Sequence, residues 1–367
     1  MPQRQVMITG GDGYIGLRVA KQYLEQTDEP VLLWVHAAGP EQLEAKRRKV
    51  LEALALHEKR ITFSSGDLVG GEPFQGVDPA GVRIILHAAA VTRFNVDEET
   101  ATKVNLEGAG KLMEFAGRCR SLEAFGLLST VYASGLKGGP IPEEPLGGEE
   151  GFANHYERSK WSSEQLLLSR HGKLPWRIYR VATAIADDES GRVTQQNAFH
   201  NTLKLFFYGL LSLIPGKPRT PLYFVTGQFV AESLFELMRQ PENRLIFHVA
   251  HTRSESPALG DLLDLAFETF MKDEDFKQRR IMKPLYADAE AFDLLAQGVN
   301  SFGGGVVNQA VSSVAPFARQ LFIEKDLQNR RLVERLKGYR APDPRRLIEN
   351  TCAALVRTRW GRVADAA

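Results

Sequence analysis

A chain of 367 residues, 43% hydrophobic and 25% charged, can bury a sizeable core and has room for two domains, or one large domain with an appendage. Its 46 basic side chains against 45 acidic ones leave a net charge of +1, which gives no electrostatic reason to expect nucleic acid as a partner. Two cysteines, Cys119 and Cys352, rule out a disulfide framework, and the longest apolar run, 205–214, is shorter than the about 20 residues that span a bilayer.

In chain order, Gln5-Val6-Met7-Ile8 reads as a short buried strand, followed by Thr9-Gly10-Gly11-Asp12-Gly13-Tyr14-Ile15-Gly16 and then by apolar residues at helical spacing from Leu17 to Leu24. Strand, glycine turn and helix start in that order form a phosphate-binding device. Glycines let the backbone approach a pyrophosphate, and the open N–H groups of the helix start, at Tyr14, Ile15 and Gly16, point at the anion. No targeting peptide fits before a strand that begins at residue 5, so a cytoplasmic protein with no integral membrane segment is expected.

Val31–Val35 is a second strand, 41–56 a charged helix after the break at Gly39-Pro40, and Ile61–Phe63 a third strand ending at Gly66-Asp67-Leu68. Val82–Leu86 is a fourth strand, running into His87-Ala88-Ala89-Ala90. A helix is predicted over 101–118 and a fifth strand at Phe125–Leu128, ending at Ser129-Thr130. A Pro/Gly/Glu stretch over 138–151 reads as an exposed, mobile loop. A helix over 154–170 and a strand at Trp176–Val181 follow. Apolar strands alternating with helices describe a doubly wound parallel sheet, the α/β class. Strands near 222–225 and 245–250 are read as returning to a first domain of residues 1–190. Residues 191–221 and 251–367 then form a smaller, mostly helical lobe. The run Leu203–Leu211 reads as core or dimer face, with an acyl-chain pocket as the alternative, and the arginine-rich end from Arg319 as a solvated helix face. The eight histidines show no metal-ligand spacing.

Ligands of open parallel sheets bind beyond the carboxyl ends of the strands. There stand the glycine loop, His36, Asp67-Leu68, His87-Ala88-Ala89 and Ser129-Thr130. The next helix carries Tyr156 and Lys160, four apart and so on one face. A nearby ammonium favours phenolate and draws the tyrosine toward the working range of a general acid. Either Thr130 or Ser129 offers a hydroxyl to hold a substrate carbonyl oxygen.

The ordered set T-G-x-x-G-x-x-G at Thr9–Gly16, G-D-L at Gly66–Leu68, H-x-A-A at His87–Ala90, V-N-x-x-G at Val104–Gly108, S-T at Ser129-Thr130 and Y-x-x-x-K at Tyr156–Lys160 resembles the extended short-chain dehydrogenase/reductases over roughly residues 5 to 190. The stretches from His87, Leu128, Asn154 and Leu174 are most similar to the thioester reductase-like branch, with its fatty acyl-CoA reductases and carboxylic acid reductase domains. The resemblance implies a Rossmann fold with a helical substrate lobe. It implies Tyr156 as proton donor, Lys160 on the nicotinamide ribose and lowering the Tyr156 pKa, Thr130 on the carbonyl oxygen with Ser129 as second choice, and Asn105 anchoring a water relay behind Lys160. Gly10, Gly13, Gly16, Asp67, Leu68 and Ala88 would line the cofactor, and a homodimer is expected by the same analogy. Val181, Ala186 and Thr226-Gly227 depart from the branch's usual Pro, Gly and Val-Asp-type residues.

No acid ends the second strand. His36 stands where the branch usually carries arginine, and with Lys46, Arg47 or Arg48 it favours NADP over NAD. The expected activity is NADPH-dependent reduction of an acyl thioester, on coenzyme A or a carrier protein, or of the derived aldehyde. Two alternatives stay open: a keto- or hydroxysteroid-like dehydrogenase or sugar-nucleotide epimerase/dehydratase of the same superfamily, and a non-catalytic dinucleotide sensor. Apolar Val131, where a dehydratase wants an acid, weighs against that enzyme.

Overall fold

Strands that are apolar at consecutive positions need cover on both faces, and the chain supplies it. The computed structural model describes residues 4–301, 311 and 314–363. Strands β1 (Gln5–Thr9), β2 (Val31–His36), β3 (Ile61–Gly66), β4 (Val82–His87), β5 (Ala124–Thr130), β6 (Trp176–Val181) and β7 (Leu245–Val249) form one sheet in the order β7-β6-β5-β4-β1-β2-β3. Every neighbouring pair is parallel. The helices used below are α1 (Tyr14–Gln26), α2 (Pro40–Leu54), α3 (Gly108–Arg118), α4 (His155–Arg170), α5 (Ala198–Phe207), α6 (Gly227–Met238), α7 (Leu259–Phe270) and α8 (Pro344–Arg357).

Side chains alternate across a strand, so β1 feeds two cores. Val6 and Ile8 join Val19 and Tyr23 of α1 and Leu234 of α6. Met7 joins Leu112 and Met113 of α3 and Leu167 of α4. A third cluster, with Leu203 and Phe206 of α5, Leu263 and Phe270 of α7, and Ile348 and Cys352 of α8, is the core of a mostly helical region beside the sheet. Burial pushes the thiols of Cys119 and Cys352 up to about 12, so both stay protonated.

Three local features differ from the sequence reading. Phe224–Thr226 does not enter the main sheet but pairs with Thr183–Ala186 in a separate two-stranded sheet. The free edge of β6 is taken instead by Leu245–Val249, which follows it in the chain. The stretch after Gly138 is not a free loop. Gly139–Ile141 pairs with Lys325–Leu327, Ile141 is buried, and the Glu143 carboxylate accepts from the backbone N–H of His248 and of Arg331. The helix expected over 101–118 is interrupted by a π-helical turn, Thr102–Glu107. In the basic terminal stretch, Arg330, Arg335 and Arg340 pair with Glu334, Glu242 and Glu189. None of the described helices is long and apolar enough to cross a membrane.

Candidate active site

The sheet order reverses between β1 and β4, and the space beyond the strand ends at such a reversal is where open parallel sheets take their ligands. Gly10 (φ +66°) passes so close to the β4 end that a Cβ would lie 2.9 Å from the Ala89 backbone, and a Cβ on Gly16 would lie 2.2 Å from the Gly10 carbonyl oxygen. Gly13 is the N-cap of α1; no side chain caps that terminus and no acid stands in its first turn. The N–H groups of Tyr14, Ile15 and Gly16 therefore stand at the positive end of the helix dipole beyond the strand ends. This cradle of glycine and free amide is what a pyrophosphate requires, so the chain's own residues fit a dinucleotide. The Tyr14 side chain points elsewhere: its hydroxyl donates to Asp187 and to the Ala186 carbonyl, and Arg18 covers its ring while pairing with the same aspartate. A Cβ on Gly227 would lie 2.5 Å from the Tyr14 hydroxyl. This contact accounts for glycine in that departing motif.

His87 is fully buried, and its Nδ1 is 2.8 Å from the Thr9 hydroxyl, its register partner on β1. Burial, with the Lys160 ammonium nearby, pushes its pKa down to about 3, so it is a neutral structural imidazole. The Ala88 and Ala89 amides donate to Thr9, fixing the wall against Gly10. The sequence reading grouped His87 with the cofactor ligands; its imidazole instead faces the strand and sets that wall. Asp67 caps its own turn through the Val69 amide, and Lys111 gathers the carbonyls of Leu68, Val69 and Gly70. His36 is exposed at the end of β2, with Nε2 4.0 Å from Asp67. Lys46 is paired with Asp12 at 2.7 Å, and Arg47 lies over Phe63 and beside Glu44.

Tyr156 and Lys160 lie one turn apart on α4, and Thr130 ends β5 within hydrogen-bonding reach of the phenol. Burial holds the Tyr156 phenol far above its ordinary pKa; the Thr130 hydrogen bond opposes this. The phenol is thus a proton donor before substrate arrives. Lys160 donates to the Leu128 carbonyl, and burial pushes its pKa down to about 8. The lowering of the phenol pKa expected from Lys160 comes here from Thr130. Ser129 points away from the phenol, since neighbouring strand residues face opposite sides. It donates to Glu164, which is locked to Arg180 in a fully buried ion pair. Asn105 sits in the π turn and spends its amide on both backbone groups of Val91 and on the Ser159 hydroxyl. It braces α4 against the β4 loop. π turns often mark such sites.

An apolar cavity of about 90 Å³ opens beside this group, lined by residues from α5, α7 and 317–321. Phe94 joins the two: its ring lies 5.7 Å from Tyr156 and 5.8 Å from both Tyr132 and Phe317. Leu203, Phe206 and Leu211 line the cavity, whereas Leu210 is exposed. Sequence reasoning missed Phe94, Tyr132 and Gln320. The first two stand close to quoted motifs; Gln320 lies in no motif at all.

A family model described as Male sterility protein matches residues 8–234. Over 214 residues the chain is 27% identical to isonitrile lipopeptide synthase of Streptomyces coeruleorubidus, a match covering 54% of this chain and 14% of that protein. Over 109 residues it is 41% identical to the chloroplastic fatty acyl-CoA reductase 2 of Arabidopsis thaliana, covering 29% of this chain and 17% of that protein. The chain thus matches only a small part of the length of either relative. Among solved structures, the terminal R domain from the myxalamid PKS-NRPS biosynthetic pathway aligns with a TM-score of 0.75 at 18% identity, over 100% of this chain and 93% of that one. A dTDP-glucose 4,6-dehydratase from Bacillus anthracis in complex with NAD aligns with a TM-score of 0.66 at 12% identity, over 98% of this chain and 100% of that one. At such identities these likenesses speak for the fold.

Proposed function

Because the chain belongs to the Male sterility protein family, and is an NAD(P)-dependent oxidoreductase of the thioester reductase-like branch of the extended short-chain dehydrogenase/reductases, we propose that it reduces an acyl thioester, or the derived aldehyde, with NADPH. The observation that carries this is the position of the Tyr156–Thr130 pair beside an apolar cavity, bridged by Phe94. A cavity walled by phenylalanine and leucine suits an acyl group and offers little to a sugar nucleotide.

The dinucleotide, when bound, supplies hydride to a carbonyl carbon. Tyr14, Ile15 and Gly16 would hold its pyrophosphate through the N–H groups of the helix start, with Gly10 and Gly13, whose own N–H groups serve Trp34 and Gly10, letting the backbone come close, and Asp67, Leu68, Ala88 and Ala89 would border it. Tyr156 donates its phenolic proton to the substrate oxygen as negative charge develops there, and Thr130 hydrogen-bonds the same oxygen. Lys160 holds the ribose hydroxyls, and Asn105 positions α4, which carries both Tyr156 and Lys160. The resulting hemithioacetal hydroxyl returns its proton to the Tyr156 phenolate as the C–S bond breaks, so thiolate leaves, the aldehyde remains and the phenol is restored.

Replacing Tyr156 with Phe tests this reading: NADPH oxidation against a panel of acyl-CoAs and aldehydes falls about 10²–10⁴-fold, while cofactor binding is retained. A variant with undiminished turnover would exclude Tyr156 as acid, and a parent chain inactive on the whole panel would exclude the reductase reading. NADP is favoured because β2 ends in His36 with no acid of its own. NADPH should bind more tightly than NADH, and His36→Asp should narrow the gap; equal affinities in the parent by fluorescence titration would defeat the assignment.

A further inference from the structure

Gln320, in the helical turn Arg319–Phe322, is buried in the wall of the apolar cavity, with a relative exposure of 6%. Its amide nitrogen donates twice: to the Gly135 carbonyl at 3.0 Å and to the Glu157 carboxylate at 2.9 Å. Those contacts fix the orientation of the amide. A carbonyl can only accept, and Glu157 also accepts from the Ala153 amide and from Asn154. Flipping the group would set oxygen against oxygen. The Gln320 carbonyl oxygen is therefore the acceptor left over, and among the described residues it is buried with no partner.

The other polar side chains of the wall, among the described residues, have partners. The Tyr132 and Thr183 hydroxyls pair at 3.2 Å, and Thr202 donates to the Ala198 carbonyl. A buried acceptor without a donor is costly, and native interiors seldom keep one. Where one lines a ligand cavity, the missing donor is naturally supplied by the ligand, and a site built that way discriminates strongly against analogues lacking the group. Gln320 is also close to the chemistry. Phe317, one turn earlier in the wall, meets Phe94, which meets Tyr156.

We propose that Gln320 is a specificity-determining residue whose carbonyl oxygen accepts a hydrogen bond from a hydroxyl or amide N–H on the acyl part of the substrate, so that the preferred acyl group carries a donor within an otherwise apolar chain. This rests on the reductase reading. The test compares hexanoyl-CoA with singly hydroxylated counterparts, the hydroxyl moved one carbon at a time, and with an aminoacyl counterpart bearing an amide N–H. In the parent chain at least one donor-bearing substrate exceeds the plain chain about tenfold or more in kcat/KM. In Gln320→Met that preference collapses toward unity, whereas in Thr183→Val it persists. No preference at any position, or a preference that survives in Gln320→Met, overturns the proposal.

Failure of the reductase reading has a different signature, since no thioester or aldehyde of the panel would then be turned over. In that case, and where Gln320→Met does not fold, calorimetric binding of hexanol and its hydroxylated and amide-bearing counterparts to the unaltered chain decides. Tighter binding of a donor-bearing ligand supports the subsite, and equal binding of all of them rejects it.

Discussion

Thr130 and Ser129 are adjacent hydroxyls of similar chemistry, and one step along the strand separates the proposed substrate contact from a structural one. Thr130 meets the phenol of Tyr156; Ser129 serves Glu164 in the buried interior. Removing the first hydroxyl while keeping its shape, as Thr130→Val, should cost about 10²-fold in turnover, the scale of one lost donor to a developing oxyanion, whereas Thr130→Ser keeps most of the rate. Steady-state kinetics on one aldehyde checks both, and a Val variant at parental rate would remove Thr130 from the reaction. Tyr156, Lys160 and Thr130 were legible because each stands at a strand end or at a fixed helical spacing. The direction of Ser129 follows from strand alternation, but only once Thr130 is placed. Gln320 was not legible, because its position depends on how a segment 163 residues after Glu157 folds back over α4.

At the level of elements, α4 is organised by a four-residue period. Tyr156, Lys160 and Glu164 follow one another along the helix, and all three are buried. The last of them holds Arg180 of β6 through contacts of 2.7–3.1 Å with neither side chain exposed. Breaking one half of such a pair strands the other as an uncompensated charge. Glu164→Gln should lower stability to unfolding by about 3–5 kcal/mol, read by urea denaturation; a loss under about 1 kcal/mol would show that water or His248 relieves the arginine. The seven parallel strands were plain in the sequence because each is built on apolar residues, even where Arg177 and Arg180 interrupt β6 and Ser64 and Ser65 follow the apolar start of β3. Gly139–Ile141 was not, since three residues with glycine and proline carry no periodicity and gain their strand character only from Lys325–Leu327. The π turn was equally hidden, for it depends on Asn105 satisfying Val91 and Ser159.

Taken as a whole, the molecule buries imidazoles that cannot easily charge. His87 and His248 are pushed down to about 3 and His251 to about 4, each mainly by burial, with Lys160 adding to the effect on His87 and Arg180 to that on His248. Unfolded, the same side chains take up a proton near 6.5. Between the two values the unfolded chain binds more protons, so this part of the stability is complete above about pH 6.5 and drains away as the pH falls toward 3. Melting temperatures measured across that window should fall steadily, and His87→Gln, with one fewer imidazole to charge, should fall less steeply. Parallel curves for the two proteins would contradict this.

The pairing of Lys325–Leu327 with Gly139–Ile141 bears on how the protein is made. The Lys325 ammonium reaches back to the Ser134 hydroxyl and the carbonyls of Gly135 and Lys137, immediately beyond the strand that presents Thr130. During synthesis the sheet can assemble once Val249 has emerged, yet the segment beyond Thr130 lacks its clasp until Lys325, 76 residues later, has been translated. A nascent chain would thus complete the glycine turn and the sheet beneath it well before the strand end that carries Thr130 receives its clasp.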